Sequence, residues 1–275
     1  MPNVLWLNGR LVAVEEASIS PFDHGLLTGD GVFETLRVYG GVAFAARRHL
    51  GRLARSVSIL GLPMPDPAVL IEAMAAVAAA NGLGDGRLRI TVTGGVSPLG
   101  SGRGSGPPTV LVAAGPLAQW APATDVVVVP WPRNERGALA GAKTISYGEN
   151  VVALAFAHER GADEAVFANT AGNLCEGTGT NVFVTVDGQL ITPPLSAGCL
   201  AGVTRDLLTE LVDVVEKDVP VEALAEADEA FLTSSTREVQ PIATVDGRRL
   251  AAAPGPLTVG AAEAYRALVA RTLDP

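Results

Sequence analysis

The sequence predicts a mixed α and β protein, of the α+β class, built in two lobes. Segments of period 2 and segments of period 3.6 are interspersed along 275 residues. The hydrophobic fraction of 48% supplies a substantial core. A stretch with two prolines and no periodicity, residues 116–123, separates two series of strands and helices. The expected lobes are therefore residues 1–115 and 124–275, with 116–123 as the linker.

The elements follow in order. Val4 to Val14 reads as a hairpin around Asn8-Gly9, the dipeptide favoured in type I′ turns. A polar segment leads to Leu26–Tyr39, whose second half alternates like a strand and turns at Gly40-Gly41. Alternation puts Phe33, Thr35 and Arg37 on one face and Glu34, Leu36 and Val38 on the other. Arg37 either lines a pocket or is exposed charge, and the strand alone does not say which. Residues 47–60 repeat Leu50, Leu53, Val57 and Leu60 at helical spacing and stop at Gly61. A second helix is expected over Pro67–Ala80, ended by Asn81-Gly82. Arg87–Thr93 alternates as a strand with Arg87 and Arg89 on one face. Residues 94–108 hold six glycines and three prolines and read as a mobile loop, either a lid or a disordered surface segment. Thr109–Ala114 is a further strand.

Beyond the linker, strands are expected at Val126–Val129 and Glu164–Ala168, with a helix at about 149–159 between them. Residues 181–191 form a second hairpin around Asp187-Gly188. Thr204 begins a helix with apolar positions Leu207, Leu208, Leu211, Val212 and Val215. Glu229–Thr233 is a strand, and Thr258–Leu273 a final helix.

Charge and composition exclude several roles. A net charge of −9 argues against nucleic acid, whose phosphates need clustered positive charge. No run of about 18 apolar residues predicts a membrane span. The N-terminal Met-Pro-Asn-Val-Leu-Trp predicts no signal peptide. Cys175 and Cys199 have neither zinc nor CxxC spacing and predict a reducing cytoplasm, and the three scattered histidines suggest no metal site.

Lysine is nearly absent. Lys143 and Lys217 are the only two among 20 basic side chains. Arginine replaces lysine at a solvated surface, but its guanidinium forms no imine, whereas a desolvated amine attacks a carbonyl. Lys143, in Ala-Gly-Ala-Lys-Thr-Ile-Ser-Tyr, is either retained for chemistry or is a solvated loop cation.

Five stretches decide between these readings. They are Gly29-Asp-Gly-Val-Phe-Glu-Thr35, His49-x-x-Arg52-Leu53, Lys143, Glu176-Gly-Thr-Gly-Thr-Asn181-Val-Phe183, and Gly202-Val-Thr-Arg-Asp206 through Thr233-Ser-Ser-Thr-Arg-Glu-Val-Gln-Pro241. In this order they resemble the class IV aminotransferases, the pyridoxal-phosphate enzymes of fold type IV, over nearly the whole chain. The resemblance implies a D-amino acid aminotransferase-like fold with pyridoxal 5′-phosphate between the lobes. It makes Lys143 the Schiff-base lysine and proton shuttle, its pKa depressed by positive charge and desolvation. Glu176 matches the carboxylate that pairs with the pyridine nitrogen; otherwise it is a helix or turn cap. Arg52, the N–H groups of Val203 and Thr204, and Ser234 and Ser235 match phosphate donors. Arg52 could equally be part of a solvated helix face, and Tyr147 either approaches Lys143 or is ordinary core.

The substrate positions are Phe33, Thr35, Arg37, Arg89, Tyr147 and Arg237. The Arg-x-His carboxylate trap of some D-amino acid transaminases is replaced by Leu99 and Ser101. Branched-chain enzymes carry glycine where this chain has Thr35. Arg37, Arg89 and Arg237 are therefore the candidates to meet a substrate carboxylate. The resemblance implies transamination from an amino acid, D-configured donors favoured, to a 2-oxo acid acceptor, by a homodimer with its site at the subunit interface. Two alternatives stay open: 4-amino-4-deoxychorismate lyase, and a cofactor carrier without catalysis.

Overall fold

Asn8 and Gly9 adopt φ of 47° and 99°, the pair of positive angles that a type I′ turn requires. The first hairpin forms there as expected, β1 (Val4–Leu7) against β2 (Arg10–Ala13). The computed structural model describes residues 3–275. Met1 and Pro2, the start of the stretch read for a leader, lie outside the described residues.

The chain divides into two compact units. The first runs to Ala118 and also takes in Ala142–Tyr147 and Thr272–Pro275. Its elements continue with α1 (His24–Thr28), β3 (Gly31–Tyr39), β4 (Val42–Ala43), α2 (Ala46–Leu60), α3 (Pro67–Ala80), β5 (Gly86–Thr93) and β6 (Thr109–Gly115). They form an antiparallel sheet in the order β2-β1-β6-β5-β3-β4. Alternation decides its faces. Val32, Leu36 and Val38 of β3, Leu88, Ile90 and Val92 of β5, and Val110 and Val112 of β6 pack on Leu50, Leu53 and Val57 of α2 and on Leu70, Met74 and Val77 of α3. The opposite face of β3 and β5 carries Phe33, Thr35, Arg37, Arg87 and Arg89, with Thr35 directly across from Arg89.

Helix α1 was not expected, because five residues containing a glycine leave no periodic signal. Its ends are nonetheless well made. Asp23 accepts the Gly25 N–H at 2.8 Å, and Gly29 closes the helix at φ 72°. The glycine-rich loop, read as mobile, is tied down. Arg103 forks onto Asp30 with two bonds of 2.6 Å and donates to the carbonyls of Leu60 and Gly61. His24 puts Nδ1 2.7 Å from Asp30 and Nε2 2.9 Å from the Gly100 carbonyl. Two acceptors facing the two ring nitrogens favour the imidazolium, and the hydrogen bond to Asp30 raises the His24 pKa.

The second unit comprises Gln119–Gly141 and Gly148–Arg271. Its elements are β7 (Thr124–Val128), α4 (Gly148–His158), β8 (Glu164–Ala168), β9 (Leu174–Gly177), β10 (Asn181–Val186), β11 (Gln189–Thr192), α5 (Val203–Leu211), β12 (Val215–Glu216), α6 (Ala223–Glu226), β13 (Ala230–Ser234), β14 (Glu238–Val245), β15 (Arg248–Arg249) and α7 (Pro256–Arg271). The sheet runs β12-β11-β10-β13-β14-β7-β8-β9, and β9 pairs back onto β10 at Glu176 and Asn181. Strands β10, β13, β14, β7, β8 and β9 thus close into a ring around a core that includes Val126, Val166, Val182, Leu232 and Ile242.

Three corrections arise here. The helix read from Thr204 through Val215 ends at Leu211; Val212 is extended, and Val215 pairs with Ile191 in the sheet. The run Val212-Asp-Val-Val is rich in β-branched residues, which lose side-chain freedom in a helix. Glu176 lies on a strand, β9, too short to show alternation, and not in a turn cap. Strand β14 was missed because Pro241 interrupts it, and its ladder to β7 shifts register just beyond, between Ile242 and Thr244. The final helix starts at Pro256, where a missing N–H costs nothing. Buried Glu229 accepts the Leu257 and Thr258 N–H groups at 3.0 and 2.8 Å. Among the described residues no helix is long and apolar enough to cross a membrane.

Candidate active site

In the first unit the Lys143 segment lies along β3 like a short extra strand. The Phe33 N–H donates to the Lys143 carbonyl at 2.9 Å, and the Ile145 N–H to the Gly31 carbonyl at 2.9 Å. The Lys143 N–H reaches Ser56 Oγ of α2 at 3.0 Å. The Gly-Asp-Gly motif makes this approach possible. A Cβ on Gly31 would come within 2.7 Å of the Val92 carbonyl and 2.8 Å of Ile145 Cδ1. On Gly29 it would sit 2.6 Å from Ser146 Oγ, at a φ of 72° that already favours glycine. Asp30, between them, is the residue that holds Arg103 and His24.

Three of the candidate residues gather on the Phe33 ring. Lys143 Nζ is 4.3 Å from its centroid, Arg89 Cζ 3.7 Å, and the Tyr147 ring packs edge-on at 5.3 Å. Arg89 keeps solvent access, and its Nε donates to Thr91 Oγ1 at 3.3 Å. Among the described residues it has no carboxylate partner. Desolvation lowers its pKa below the ordinary arginine value, with the Tyr147 charge opposing.

The other two candidate arginines are placed differently. Arg37 donates to the Gly86 carbonyl at 3.3 Å, lies 3.7 Å from Asp85 and stacks on Tyr39. Arg237 belongs to the second unit, where it pairs with buried Glu164 at 3.3 Å, donates to Gln240 and stacks on Trp120 at 3.8 Å. Each already holds a carboxylate; of the three, Arg89 alone shares Phe33 with Lys143.

Arg52 is buried on α2, facing the sheet, and is not part of a solvated helix face. Its Nε and Nη2 donate to the two oxygens of Glu34 at 2.8 and 2.7 Å, and His49 Nδ1 lies 2.7 Å from Glu34 Oε2. Burial pushes the Glu34 carboxyl up, but the charge of Arg52 and the hydrogen bonds from Arg52 and His49 outweigh it and hold the pKa down at about 2. Burial lowers the His49 pKa, and Arg52 and Lys143 lower it further against the pull of Glu34.

In the second unit, ring closure fixes Glu176. Its Oε2 accepts the Leu200 N–H at 2.9 Å, and its Oε1 is 3.2 Å from Arg133 Nε. Asn181, its cross-strand partner, donates to the Leu200 carbonyl at 2.8 Å. Helix α5 begins just beyond, at Val203, and its N-cap residue Gly202 brings no side chain to the first N–H groups. A Cβ on Gly202 would fall 1.9 Å from Asn181 Oδ1, so only glycine fits this entry. Val203 and Thr204 are buried in the first turn. Ser234 Oγ accepts the Arg237 N–H at 3.1 Å at the end of β13, and Ser235 follows in the turn to β14.

The model of amino-transferase class IV matches residues 31–245. The chain belongs to the class IV aminotransferases. A Methanocaldococcus jannaschii protein, provisionally named a branched-chain-amino-acid aminotransferase, is 36% identical over 89% of this chain and 88% of its own length. The D-alanine aminotransferase of Bacillus licheniformis is 32% identical over 91% and 92%. The crystal structure of the Thermoproteus uzoniensis branched-chain aminotransferase with norvaline superposes with a TM-score of 0.90 at 34% identity, covering 97% of this chain and 94% of that one.

This class IV aminotransferase is thus a pyridoxal-phosphate-dependent transaminase with the α+β fold of its family. Its donor set suits the cofactor. An amine is present for the aldehyde, and a carboxylate fixed on one N–H and one guanidinium keeps lone pairs for a pyridinium N–H. An uncapped helix start, entered through a glycine with no room for a Cβ, suits an anion. Sequence reasoning missed Arg133 and Glu34. Arg133 left no signal. Glu34 did, because a carboxylate in alternation with Leu36 and Val38 points into a core, where it must be paired.

Proposed function

We propose that this transaminase holds its cofactor at Lys143 and takes the substrate carboxylate on Arg89. The gathering of Lys143, Arg89 and Tyr147 on Phe33 carries the reading. An amine that is to receive a proton from the substrate Cα needs a cation nearby to hold the carboxylate in one orientation. Among the described residues, Arg89 is an accessible cation without a carboxylate of its own.

When bound, pyridoxal phosphate supplies an electron sink for the pair left on Cα. The chain's own residues have these roles. Lys143 would supply the amine that holds the cofactor aldehyde and the base that moves the proton at the substrate Cα. Tyr147, half-buried on the same ring, limits water around the amine. Glu176 would keep a proton on the pyridine nitrogen. Arg52 of the first unit, and the N–H groups of Val203 and Thr204 with Ser234 and Ser235 of the second, would be the donors to the phosphate.

We assign D-configured amino donors and a 2-oxo acid acceptor. Thr35 supports this, because it puts a branched side chain across from Arg89 on the strand face where branched-chain enzymes carry glycine. The likeness to a D-alanine aminotransferase supports it too. The second reading, L-branched-chain donors, is favoured by the names of the archaeal relative and of the Thermoproteus structure. Comparing kcat/KM for D-alanine and L-leucine with 2-oxoglutarate tests both; a higher value for L-leucine overturns the D assignment. Pyruvate release from aminodeoxychorismate at a higher kcat/KM than either would overturn both in favour of the lyase.

We also propose a homodimer. Phe22, Leu26, Val96 and Leu99 are exposed by 50%, 72%, 55% and 74%, on segments joined by the Asp23–Val96 bridge. Four exposed apolar side chains on adjoining segments suit a second copy. Light scattering should return twice the chain mass at micromolar concentration, and a monomer would refute the dimer.

A further inference from the structure

Glu34 is a buried charged group to which the proposed reaction gives no task. It has no solvent exposure, and it projects from β3 into the core shared with α2. Both its oxygens are taken, Oε1 by Arg52 Nε and Oε2 by Arg52 Nη2 and His49 Nδ1. His49 and Arg52, three residues apart on α2, present one face to it. Such a buried pair is seldom the most stable filling for a core; apolar side chains of similar volume usually do as well or better. Something other than stability therefore favours it. A planar guanidinium gripped along one edge by a carboxylate fork cannot rotate.

We propose that Glu34 is a positioning residue for the cofactor phosphate, holding the Arg52 guanidinium in a single preset orientation with His49 as the second support. The inference rests on the reading of Arg52 as a phosphate ligand. With Nε and Nη2 turned to Glu34, the Nη1 edge of Arg52 is held in one direction, along which it would donate to a phosphate. The Glu34 charge also cancels much of the Arg52 field at a distance. Arg52 then acts chiefly as a directional donor, and its contribution depends on being aimed.

Orientation and charge predict opposite results when the carboxylate is neutralised. If Glu34 only damped the Arg52 charge, Glu34→Gln would tighten phosphate binding. If it aims Arg52, the same change weakens it. The experiment measures the dissociation constants of pyridoxal phosphate and of pyridoxal, which lacks the phosphate, for the apoenzyme by equilibrium dialysis. In Glu34→Gln we expect the preference for the phosphorylated form to fall about tenfold or more, the size of one lost charge-assisted contact, with pyridoxal affinity within about twofold of wild type. Equal weakening of both ligands would mean a merely structural role and would overturn the inference, as would an unchanged or increased preference. If Glu34→Gln does not yield folded protein by circular dichroism, Glu34→Asp, which keeps the charge but withdraws the fork, is read by the same criteria. Arg52→Gln separates the two levels. If it leaves the preference at the wild-type value, the phosphate reading of Arg52 fails. If it lowers the preference while the Glu34 variant does not, only the positioning role fails.

Discussion

Lys143→Arg is expected to lower kcat by at least about 10³-fold while leaving the fold intact, since a guanidinium neither forms an imine nor moves a proton near neutral pH. The backbone contacts of the segment, from Phe33 and Ser56 to Lys143, do not involve the side chain, so the larger head group leaves them in place. The wild-type protein should be yellow, and borohydride should abolish its visible band. A tryptic map after reduction should then carry the pyridoxyl group on Lys143. Lys217 is the only other lysine, exposed just after β12 in the other unit. A label found there would sink the assignment. Lys143→Arg should show no band at all.

Arg89→Gln is expected to reduce kcat/KM for amino acid donors by about 30- to 150-fold, the equivalent of a lost charge-assisted contact of about 2–3 kcal/mol. Most of the loss should fall on KM if Arg89 holds the carboxylate equally in ground and transition states. An amine that lacks a carboxylate should be affected far less, because it never used the contact. Arg37→Gln and Arg237→Gln serve as controls. Their guanidiniums are engaged by Asp85 and by Glu164, and neither change should separate amino acids from simple amines. If Arg89→Gln stays within about twofold of wild type for amino acids, backbone and hydroxyl donors must bind the carboxylate, and the assignment to Arg89 is wrong.

Much of the architecture was legible because it depends on neighbours in sequence. Asn8-Gly9 and Asp187-Gly188 make their hairpins through positive φ at both turn residues. Leu50, Leu53 and Val57 define a helix face by spacing alone, and the Gly61 signal ends that helix at a left-handed residue. Apart from the short helices α1 and α6, the elements missed depend on distant partners. Strand β9 has four residues and exists because β8 and β10 flank it. Strand β14 tolerates Pro241 because its neighbours supply the remaining ladder.

The candidate site divides in the same way. By itself the sequence determined the family, through five short stretches in order, and singled out Lys143 in a chain that has almost abandoned lysine. It could not choose among three arginines, because Arg37, Arg89 and Arg237 have the same chemistry and differ only in what lies beside them. The tertiary structure separates them by their neighbours. Cross-strand stacking brings Arg89 onto Phe33, an insertion from beyond the linker brings Lys143 to the same ring, and carboxylates already occupy the other two guanidiniums. Side-chain type is a local property, whereas the free energy of a charge depends on burial and on partners that folding draws from far along the chain. For Glu34 and Arg52, eighteen positions apart, that dependence turns two residues of a sequence motif into one buried pair.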